Sequence, residues 1–467
     1  MGNLIYGVND RPPLTKLLLS ALQQLLAVLA ATIAVPAIIG NGMSQSAALF
    51  GAGVGTIVYL LFTKFKSPVF LGSSFAFLGS MSAAFAGAVT VSVGYFGLIL
   101  GALLAGLVYV ILAVVVRYVG TGWINKLMPA VIIGPTVAII GLSLAGNAVG
   151  DLVKGSVLNE AGAPVASTYL ALLCGLVTLF VTIICSVFGK KFLKMIPFIV
   201  GILAGYLLAT LFTVIGLGTD TDALKLINFS LFKNMSWVPD FTFITAFGHL
   251  SDIPDAGTFF QYFGTVAVAY IPVAFVVFAE HIADHKNLSS IIGSDLLAEP
   301  GLHRTLLGDG VGSFAGAFFG GCPNTTYGES VGCVAISRNA SVITILCTSI
   351  LYIVLAFVAP FVTLLATIPS CVMGGVCIVL YGFIAVSGLK MIKDVDLGDN
   401  RNLFVVSVIL ICGVGGMVVS FGKVTITEVA CALILGICTN IICNIGRDKS
   451  DKQVVELATK SETEEVK

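Results

Sequence analysis

Long apolar runs recur along almost the whole chain and are separated by short polar segments. A run of about 20 apolar residues is the length that an α-helix needs to cross a lipid bilayer. Three of the runs, 69–86, 305–320 and 322–337, are short or interrupted by glycine. With these included, the pattern predicts membrane-spanning segments at 14–39, 46–63, 69–86, 92–116, 128–147, 166–188, 196–217, 263–285, 305–320, 322–337, 341–366, 369–388, 402–421 and 424–444.

The Lys and Arg residues fall mainly on one side of this arrangement. When the N-terminus is placed inside and the segments alternate, 20 of the 24 basic residues lie on the inner side. The outer side holds Lys154, Lys225, Lys233 and Lys423. Cytoplasmic loops of membrane proteins are enriched in Lys and Arg. We therefore predict a multi-pass membrane protein with both termini in the cytoplasm.

One long loop, 218–262, lies outside and divides the chain into two halves of seven segments. Because seven is odd, the second half crosses the membrane in the opposite direction to the first, as in inverted-repeat transporters. The predicted organisation is an N-terminal cytoplasmic segment 1–13, a first repeat 14–217, the extracellular loop, a second repeat 263–444 and a charged cytoplasmic tail 445–467. The predicted fold class is an all-α polytopic membrane protein.

The composition agrees with a protein that has little soluble structure. Hydrophobic residues make up 57% of the chain and charged residues 10%, whereas soluble domains carry about 25% charged residues. The formal net charge is zero, which gives no reason to expect nucleic-acid binding. The 11 cysteines are scattered without a CxxC pair, so we expect free thiols. No His-rich metal motif and no nucleophile–base motif points to an enzyme.

Acidic residues inside the predicted segments are confined to the second half. Glu280 and Asp284 lie in FVVFAEHIADHK, Asp309 lies in HRTLLGDGVGSFAG, and Glu329 lies in GCPNTTYGES. Glu428 begins the last segment, near the outer face. A charge inside a bilayer is costly, so a carboxyl group there is a candidate functional residue. For Asp309, which precedes a glycine, the alternative is a structural role.

Glu280 and Asp284 are four residues apart, so they share a face if this segment is helical. Two neighbouring carboxylates ionise together only at a cost, and such a pair can hold a proton near neutral pH. The alternative for Asp284 is simple exposure to water at the cytoplasmic end of the helix. His281 and His285 are candidates for proton transfer, and their alternative is a structural role with satisfied or exposed rings.

Two glycine-containing polar segments interrupt the apolar pattern at matching places in the two halves. They are VFLGSSFAFLGS, 69–80, and GCPNTTYGESVG, 321–332, in the third segment of each half. A discontinuous helix exposes backbone N–H groups at the start of its second part, and these bind acceptor oxygens. Such irregular backbone is tolerated in a membrane where it lines a cavity, and paired broken helices mark transporter binding sites. The alternative is a glycine-rich packing kink.

The candidate groups together describe one kind of ligand. Glu280 and Glu329 offer carboxylate acceptors, the backbone around Phe75 and Gly328 offers N–H donors, and Phe75 and Tyr327 offer aromatic faces. A flat, neutral ring with alternating N–H and C=O groups satisfies all three. A sugar would need more amides and hydroxyls, and an anion would need Arg or Lys. The residues therefore favour a nucleobase.

Several motifs resemble those of a known transporter family, nearly from end to end. The chain resembles the nucleobase–cation symporters of the nucleobase–ascorbate type and, within them, is most similar to bacterial uracil permeases. The combination of PNTTYGE and AEH is the most specific part of the match. The matching motifs are YGVNDRPPL, ALQQLLAVLAATIAVP, VFLGSSFAF, VGTGWINKLMPAVIIG, FAEHIADH, EPGLHRTLLGDG and PNTTYGESVG.

The resemblance implies a fold of fourteen segments in two inverted repeats, in the bacterial plasma membrane. Segments 1–4 and 8–11 would form a core domain, at 14–116 and 263–366. Segments 5–7 and 12–14 would form a gate domain, at 128–217 and 369–444. The third and tenth segments would each begin with a short extended stretch followed by a half helix. The resemblance also implies a homodimer.

The resemblance further implies proton-coupled uracil uptake, with the proton as coupling ion and no other cofactor. By motif match, Glu280 and Glu329 would hold the N–H groups of uracil. The backbone N–H groups of Phe75 and Gly328 would bind its carbonyl oxygens, and Tyr327 would line the pocket.

The sequence departs from the family pattern at positions that bear on proton transfer. Many members have Gln-His where this chain has Gln23 and Gln24, and some relatives have histidine at the position of Asp284. Where the family signature reads Asn-x-Gly and later Thr-Arg, this chain has Ser330, Gly332, Ser337 and Arg338. We therefore expect the proton on carboxylates, first on Glu280 and then on Asp284.

Other functions stay open at this point. A symporter for a different nucleobase, such as xanthine or another purine, would use the same chemistry in a pocket of different volume. A channel and a membrane-embedded enzyme are further alternatives, although neither explains paired broken helices in two inverted halves.

Overall fold

A computed structural model of the protein describes residues 4–120, 123, 129–159, 162–190, 192–248, 250–393, 395–421 and 424–445. The predicted tail lies outside these residues except for Ile445. The first three residues of the predicted N-terminal segment and Lys423 of the predicted outer side also lie outside them.

Helices make up most of the described chain, and the strands are short. The strands are β1 (Leu71–Ser73), β2 (Asn324–Thr326), β3 (Val419–Phe421) and β4 (Val424–Ile426). The α-helices are α1 (Leu14–Ile39), α2 (Gln45–Phe62), α3 (Leu78–Ala86), α4 (Val91–Val119), α5 (Ala130–Ser143), α6 (Ala145–Asp151), α7 (Thr168–Phe188), α8 (Phe192–Met195), α9 (Pro197–Gly218), α10 (Thr242–Gly248), α11 (Ala256–Ile292), α12 (Leu302–Gly320), α13 (Gly328–Ser337), α14 (Val342–Ala356), α15 (Ala359–Ala366), α16 (Ser370–Met391), α17 (Asn400–Val414) and α18 (Glu428–Asn444).

Many helices are long and apolar enough to cross a bilayer. Within the described ranges, 8 helices meet that length and composition, or up to 9 if the bent pair α14 and α15 counts as one span. Shorter apolar helices cover Phe75–Ala86, Asn400–Val414 and Glu428–Asn444. The protein is therefore a largely helical, multi-pass membrane protein, as predicted.

Two predicted spans have different bounds in the structure. The span predicted at 263–285 is too short, because α11 covers 37 residues and begins inside the predicted outer loop. Its first turn is capped by Asp255, whose carboxylate accepts a hydrogen bond from the backbone N–H of Thr258 at 2.9 Å, a local signal that hydropathy does not contain. The span predicted at 341–366 is bent by 85° between α14 and α15, where Pro360 begins the second helix.

The hairpin of β3 and β4 is a third difference from the predicted spans. It replaces the end of the helix predicted at 402–421 and the start of the one predicted at 424–444. Helix α17 ends at Val414, and Gly416 follows with a φ of 67°, a left-handed conformation that favours glycine. The β-branched residues of VVSFGKVTIT favour strands, but Val, Ile and Phe are equally apolar in a helix.

Glycine allows α12 to lie directly on α2. A Cβ atom on Gly51 would stand 2.5 Å from the carbonyl oxygen of Gly316, and one on Gly55 would stand 2.6 Å from that of Gly312. No side chain fits between backbones at this distance. The hydrophobic effect does not drive helices together in lipid. Close van der Waals packing at small residues of this kind supplies the attraction instead.

We expect Gly312→Ala to destabilise the protein. The new Cβ would lie 2.7 Å from the carbonyl oxygen of Gly55 and 2.9 Å from Cδ1 of Leu71, and overpacking of this kind costs about 1–3 kcal/mol. Gly382→Ala in α16 is the matched control, because its Cβ would meet open space and alanine favours a helix. Thermal unfolding of the purified proteins in detergent measures the difference. A Gly312→Ala protein that unfolds at or above the control temperature would contradict the close packing.

The helices pack in two groups. In the first group, α12 lies against α2 and α4, α14 lies against α2 and α1, and α11 lies against α4. In the second group, α16 lies against α5 and α7, α9 lies against α7, and α17 lies against α5 and α18. Fewer contacts, such as those of α1 with α9 and α16, join the two groups.

Candidate functional site

Strands β1 and β2 bring the two interrupted segments together. They pair in antiparallel register, with Gly72 opposite Thr325, and Ser74 N donates to the carbonyl oxygen of Pro323 at 2.9 Å. After β1 the chain forms a 3₁₀ turn at Phe75–Phe77 that continues into α3, and after β2 helix α13 begins at Gly328. The sequence prediction of extended stretches before two half helices agrees with this arrangement.

The strand pair places two helix N-termini near each other. Because β1 and β2 are antiparallel, the segments that follow them leave the pair in opposite directions. The first N–H groups of a helix have no partner within the helix, and the helix dipole makes that end attractive to acceptor oxygens. Backbone donors at Phe75 and Gly328 are therefore available at the start of these two segments.

A cavity of about 320 Å³ lies beside the start of α13. Its lining includes the carboxylates of Glu280, Asp284 and Glu329, together with Gly328. Its volume is at the lower end of the range for small-molecule sites. The rest of the lining comes from both helix groups and consists of Ala27, Val137, Ser186, Lys194, Pro197, Phe198, Ala283, Gly332, Cys333, Ile336, Phe383, Ile384, Ser387 and Met391.

Helix α11 presents Glu280 and Asp284 to the same cavity. Asp284 is held by the hydroxyl of Thr326, which donates to its Oδ2 at 2.7 Å. Its Oδ1 lies 3.8 Å from the position of a Cβ atom on Gly328, so it stands beside the start of α13. Asp284 therefore lines the cavity together with both glutamates.

The two aromatic residues predicted for the site, Phe75 and Tyr327, are not among the described residues that line this cavity. The hydroxyl of Tyr327 donates to the carbonyl oxygen of Ser73 at 2.6 Å, and its ring covers Gly72, where a Cβ atom would be 2.4 Å from Cε2. Tyr327 thus ties β2 to β1. Phe75 is buried, and its ring meets that of Tyr381 from the second helix group edge to face, with 5.6 Å between centroids.

His281 and His285 lie next to the acids on α11 and are not among the described residues that line this cavity. His281 is fully buried; its Nδ1 lies 2.7 Å from Oδ2 of Asp309, and its Nε2 lies 2.9 Å from Oγ1 of Thr305. The two imidazole rings stack with centroids 4.0 Å apart. Asp309 is thereby placed as the partner of a histidine inside the first helix group.

The hydrogen bonds of His285 join it to α2 and to the segment before β1. Its Nδ1 lies 2.8 Å from the carbonyl oxygen of His281, which only accepts, so Nδ1 carries a proton. Its Nε2 lies 2.7 Å from the hydroxyl oxygen of Tyr59 and 3.4 Å from Oγ of Ser67. The hydroxyl of Tyr59 donates to Oγ of Ser67 at 2.7 Å.

Sequence reasoning did not assign some polar residues that the structure places around the site. Gln24 Nε2 donates to Oγ of Ser330 at 2.5 Å, and Phe70 N donates to the same oxygen at 3.2 Å. Asn324 and Thr326, within PNTTYGE, were visible as polar residues in an apolar region but had no assigned partners. The contacts of Gln24 and Ser330 cross 306 positions of sequence, so no local pattern indicates them.

Comparison with known proteins identifies related permeases. A family model described as a permease family, Xan_ur_permease, matches residues 15–421. The uracil permease of Bacillus caldolyticus is 38% identical over 98% of this chain and 98% of its own length. That of Bacillus subtilis (strain 168) is 38% identical over 93% of this chain and 94% of its own. That of Escherichia coli (strain K12) is 34% identical over 93% of each.

Solved structures show the same fold at low sequence identity. The transmembrane domain of the cyanobacterial bicarbonate transporter BicA superposes with a TM-score of 0.63 at 15% identity, over 94% of this chain and all of that domain. The murine anion transporter Slc26a9, in an inward-facing state, gives 0.64 at 13% identity over 94% of this chain and 69% of its own. The fold is that of a membrane transporter, and the related proteins are permeases rather than enzymes. The chain belongs to the Xan_ur_permease family of permeases.

Proposed function

We propose that the protein carries uracil into the bacterial cell together with protons, by alternating access. The observation that carries the proposal is the cavity in which Glu280, Asp284 and Glu329 meet the N-terminus of α13 between two helix groups. The three relatives described above are named uracil permeases, which supports uracil as the substrate.

The polar groups of uracil have complementary partners in this proposal. Glu280 and Glu329 accept hydrogen bonds from its ring N–H groups, and the backbone N–H groups of Phe75 and Gly328 donate to its carbonyl oxygens. Tyr327 acts through the strand pair that it ties together. Both glutamates orient the ring. Bonds to a carboxylate are stronger than neutral ones, so Glu329 also supplies affinity.

The proton binds to the acids of the cavity, first to Glu280 and then to Asp284. Three carboxylates in one cavity inside the membrane favour proton uptake when water leaves and the cavity closes. His281 and His285 take part by responding to that charge. The contact between His285 and Tyr59, whose hydroxyl donates to Ser67, gives this response a path away from the cavity.

Two cavities at different ends of the helix groups support alternating access. The acidic cavity extends to Lys194, which is exposed, and to Met391 at the end of α16. We assign this end to the cytoplasm, so the conformation is open to the inside. A second cavity of about 600 Å³ includes Asp151 and Asp240 in its lining and corresponds to the outer vestibule.

The first helix group acts as the core and the second as the gate, in two inverted repeats of seven segments. The core carries both half helices, and the gate supplies the opposite wall through residues such as Phe383 and Ile384. Both termini are cytoplasmic in this arrangement, and the protein assembles as a homodimer in the plasma membrane.

Uptake of labelled uracil into proteoliposomes tests the function. We expect accumulation above the external concentration when the outside is acidic, and only equilibration when the pH gradient is removed. Unlabelled bases serve as competitors, and uracil should displace the label better than xanthine or other purines. A purine that competes more strongly than uracil would identify that purine as the substrate instead. Equilibration without accumulation in both conditions would favour a channel.

A further inference from the structure

A second, much smaller cavity lies in the first helix group, apart from the proposed uracil site. Its volume is about 10 Å³, and its polar lining includes Tyr109 of α4, Asp309 of α12 and Asn324 of β2. Asp309 and Asn324 are each 1% exposed and Tyr109 is 4% exposed. These side chains are therefore removed from bulk solvent, and the cavity has room for about one water molecule.

Each of these three residues contributes a polar atom without a partner. Tyr109 Oη, Asp309 Oδ1 and Asn324 Oδ1 are buried and form no hydrogen bond with the part of the chain that the structure describes. Buried polar atoms in folded proteins are nearly always hydrogen-bonded to protein or to ordered water. Three such atoms around one cavity therefore indicate that they share one hydrogen-bonding partner.

The other hydrogen bonds of Asp309 and Asn324 fix the orientation of these two side chains. Oδ2 of Asp309 is occupied by Nδ1 of His281 at 2.7 Å. Nδ2 of Asn324 donates to the carbonyl oxygen of Gly51 at 3.1 Å. Because that carbonyl only accepts, the amide nitrogen must face Gly51, and the amide oxygen stays free for another donor. The side chain of Asn324 also lies in a slot at Gly316, where a Cβ atom would be 2.3 Å from Nδ2.

We propose that this cavity binds one ordered water molecule, which is a permanent part of the scaffold. The water donates one hydrogen bond to Oδ1 of Asp309 and one to Oδ1 of Asn324, and it accepts one from the hydroxyl of Tyr109. Buried waters typically make about three hydrogen bonds to groups that are otherwise unsatisfied. One water therefore satisfies all three atoms.

A small cation fits the same atoms less well. It would contact the oxygens of Asp309 and Asn324, but the hydroxyl hydrogen of Tyr109 would then have no acceptor among the described residues. A water molecule both donates and accepts, so it leaves no buried donor unsatisfied.

The bound water connects two parts of the molecule that share no direct hydrogen bond through these atoms. On one side stand Asp309 and its partner His281 on α11. On the other side stands Asn324 of β2, the strand that also carries Thr326 and its contact with Asp284. The water thus holds the strand in register with the buried histidine pair, whichever substrate the transporter carries.

The variant Tyr109→Phe is expected to change Tm in one direction if the cavity holds a water molecule and in the other if it is empty. With the water present, removal of the hydroxyl breaks a hydrogen bond, and we expect Tm in detergent to fall by about 2 °C. With an empty cavity, the same change removes an unsatisfied buried hydroxyl and Tm should stay or rise. The matched control is Tyr270→Phe, because its hydroxyl is also buried without a partner among the described residues but does not line this cavity.

We expect the Tm of Tyr270→Phe to stay or rise while that of Tyr109→Phe falls. Equal behaviour of the two variants would overturn the proposal. Parallel scans of the original chain in NaCl, KCl and choline chloride should give equal Tm values. A rise specific to NaCl that is lost in Tyr109→Phe would assign the cavity to sodium instead. All scans are made without substrate, so their outcome is independent of uracil transport.

Discussion

Proteoliposomes containing the Glu280→Gln variant are expected to lose pH-driven accumulation of uracil, down to the level of protein-free liposomes. Glutamine cannot gain or lose the proton that Glu280 is proposed to bind first, so the pH gradient loses the first group on which it acts. The side-chain oxygen of glutamine still accepts a hydrogen bond, as the carbonyl oxygen of a protonated glutamic acid does. Binding of uracil should therefore persist in this variant.

Two measurements separate this result from a folding defect. Calorimetric binding of uracil to the purified variant should be nearly independent of pH, whereas binding to the original chain should change with pH. Glu428→Gln is the matched control, because Glu428 is a glutamate at the start of α18 that is not among the residues lining the acidic cavity. Accumulation driven by a pH gradient in Glu280→Gln would remove this residue from the proton path.

The Glu329→Gln variant is expected to raise the KM for uracil by about 10- to 100-fold. Glu329 lies in the first turn of α13 and lines the cavity beside Gly328, where it is proposed to accept a ring N–H. A hydrogen bond to a charged group contributes about 1.5–3 kcal/mol, and each 1.4 kcal/mol corresponds to tenfold in affinity.

Separate measurement of KM and of the maximal uptake rate identifies the role of Glu329. Uptake by Glu329→Gln at saturating uracil should still follow the pH gradient, in contrast to Glu280→Gln. Glu329→Asp shortens the side chain but keeps the charge, and we expect it to recover part of the affinity. An unchanged KM in Glu329→Gln would show that the ring N–H has another acceptor.

The largely helical, multi-pass character of the chain could be predicted from hydropathy. Helix α1 has the predicted bounds, Leu14–Ile39, because a mostly apolar run of that length can satisfy its backbone hydrogen bonds in a bilayer by forming a helix. The two interrupted segments were also found, because glycine, proline and polar residues are rare enough inside apolar runs to stand out.

The partners of the site residues could not be predicted in the same way. Tyr59 and His285 are 226 positions apart in sequence and 2.7 Å apart in space. Nothing near either residue in the chain indicates the other. The hairpin of β3 and β4 was missed for a different reason, since Val, Ile and Phe are equally apolar in a strand and in a helix. The contacts between distant residues and the backbone conformation thus became known only from the structure, whereas the burial of apolar segments could be predicted from the sequence.

The pairing of β1 with β2 has a consequence for how a carrier of this shape can move. Backbone hydrogen bonds run between Leu71–Ser73 and Asn324–Thr326, so the two half helices share one piece of sheet. In the proposed transport cycle they would therefore move as a single body, and a bound ring would keep the same donors throughout. The barrier to solvent would then be exchanged elsewhere, at the surface where the two helix groups meet.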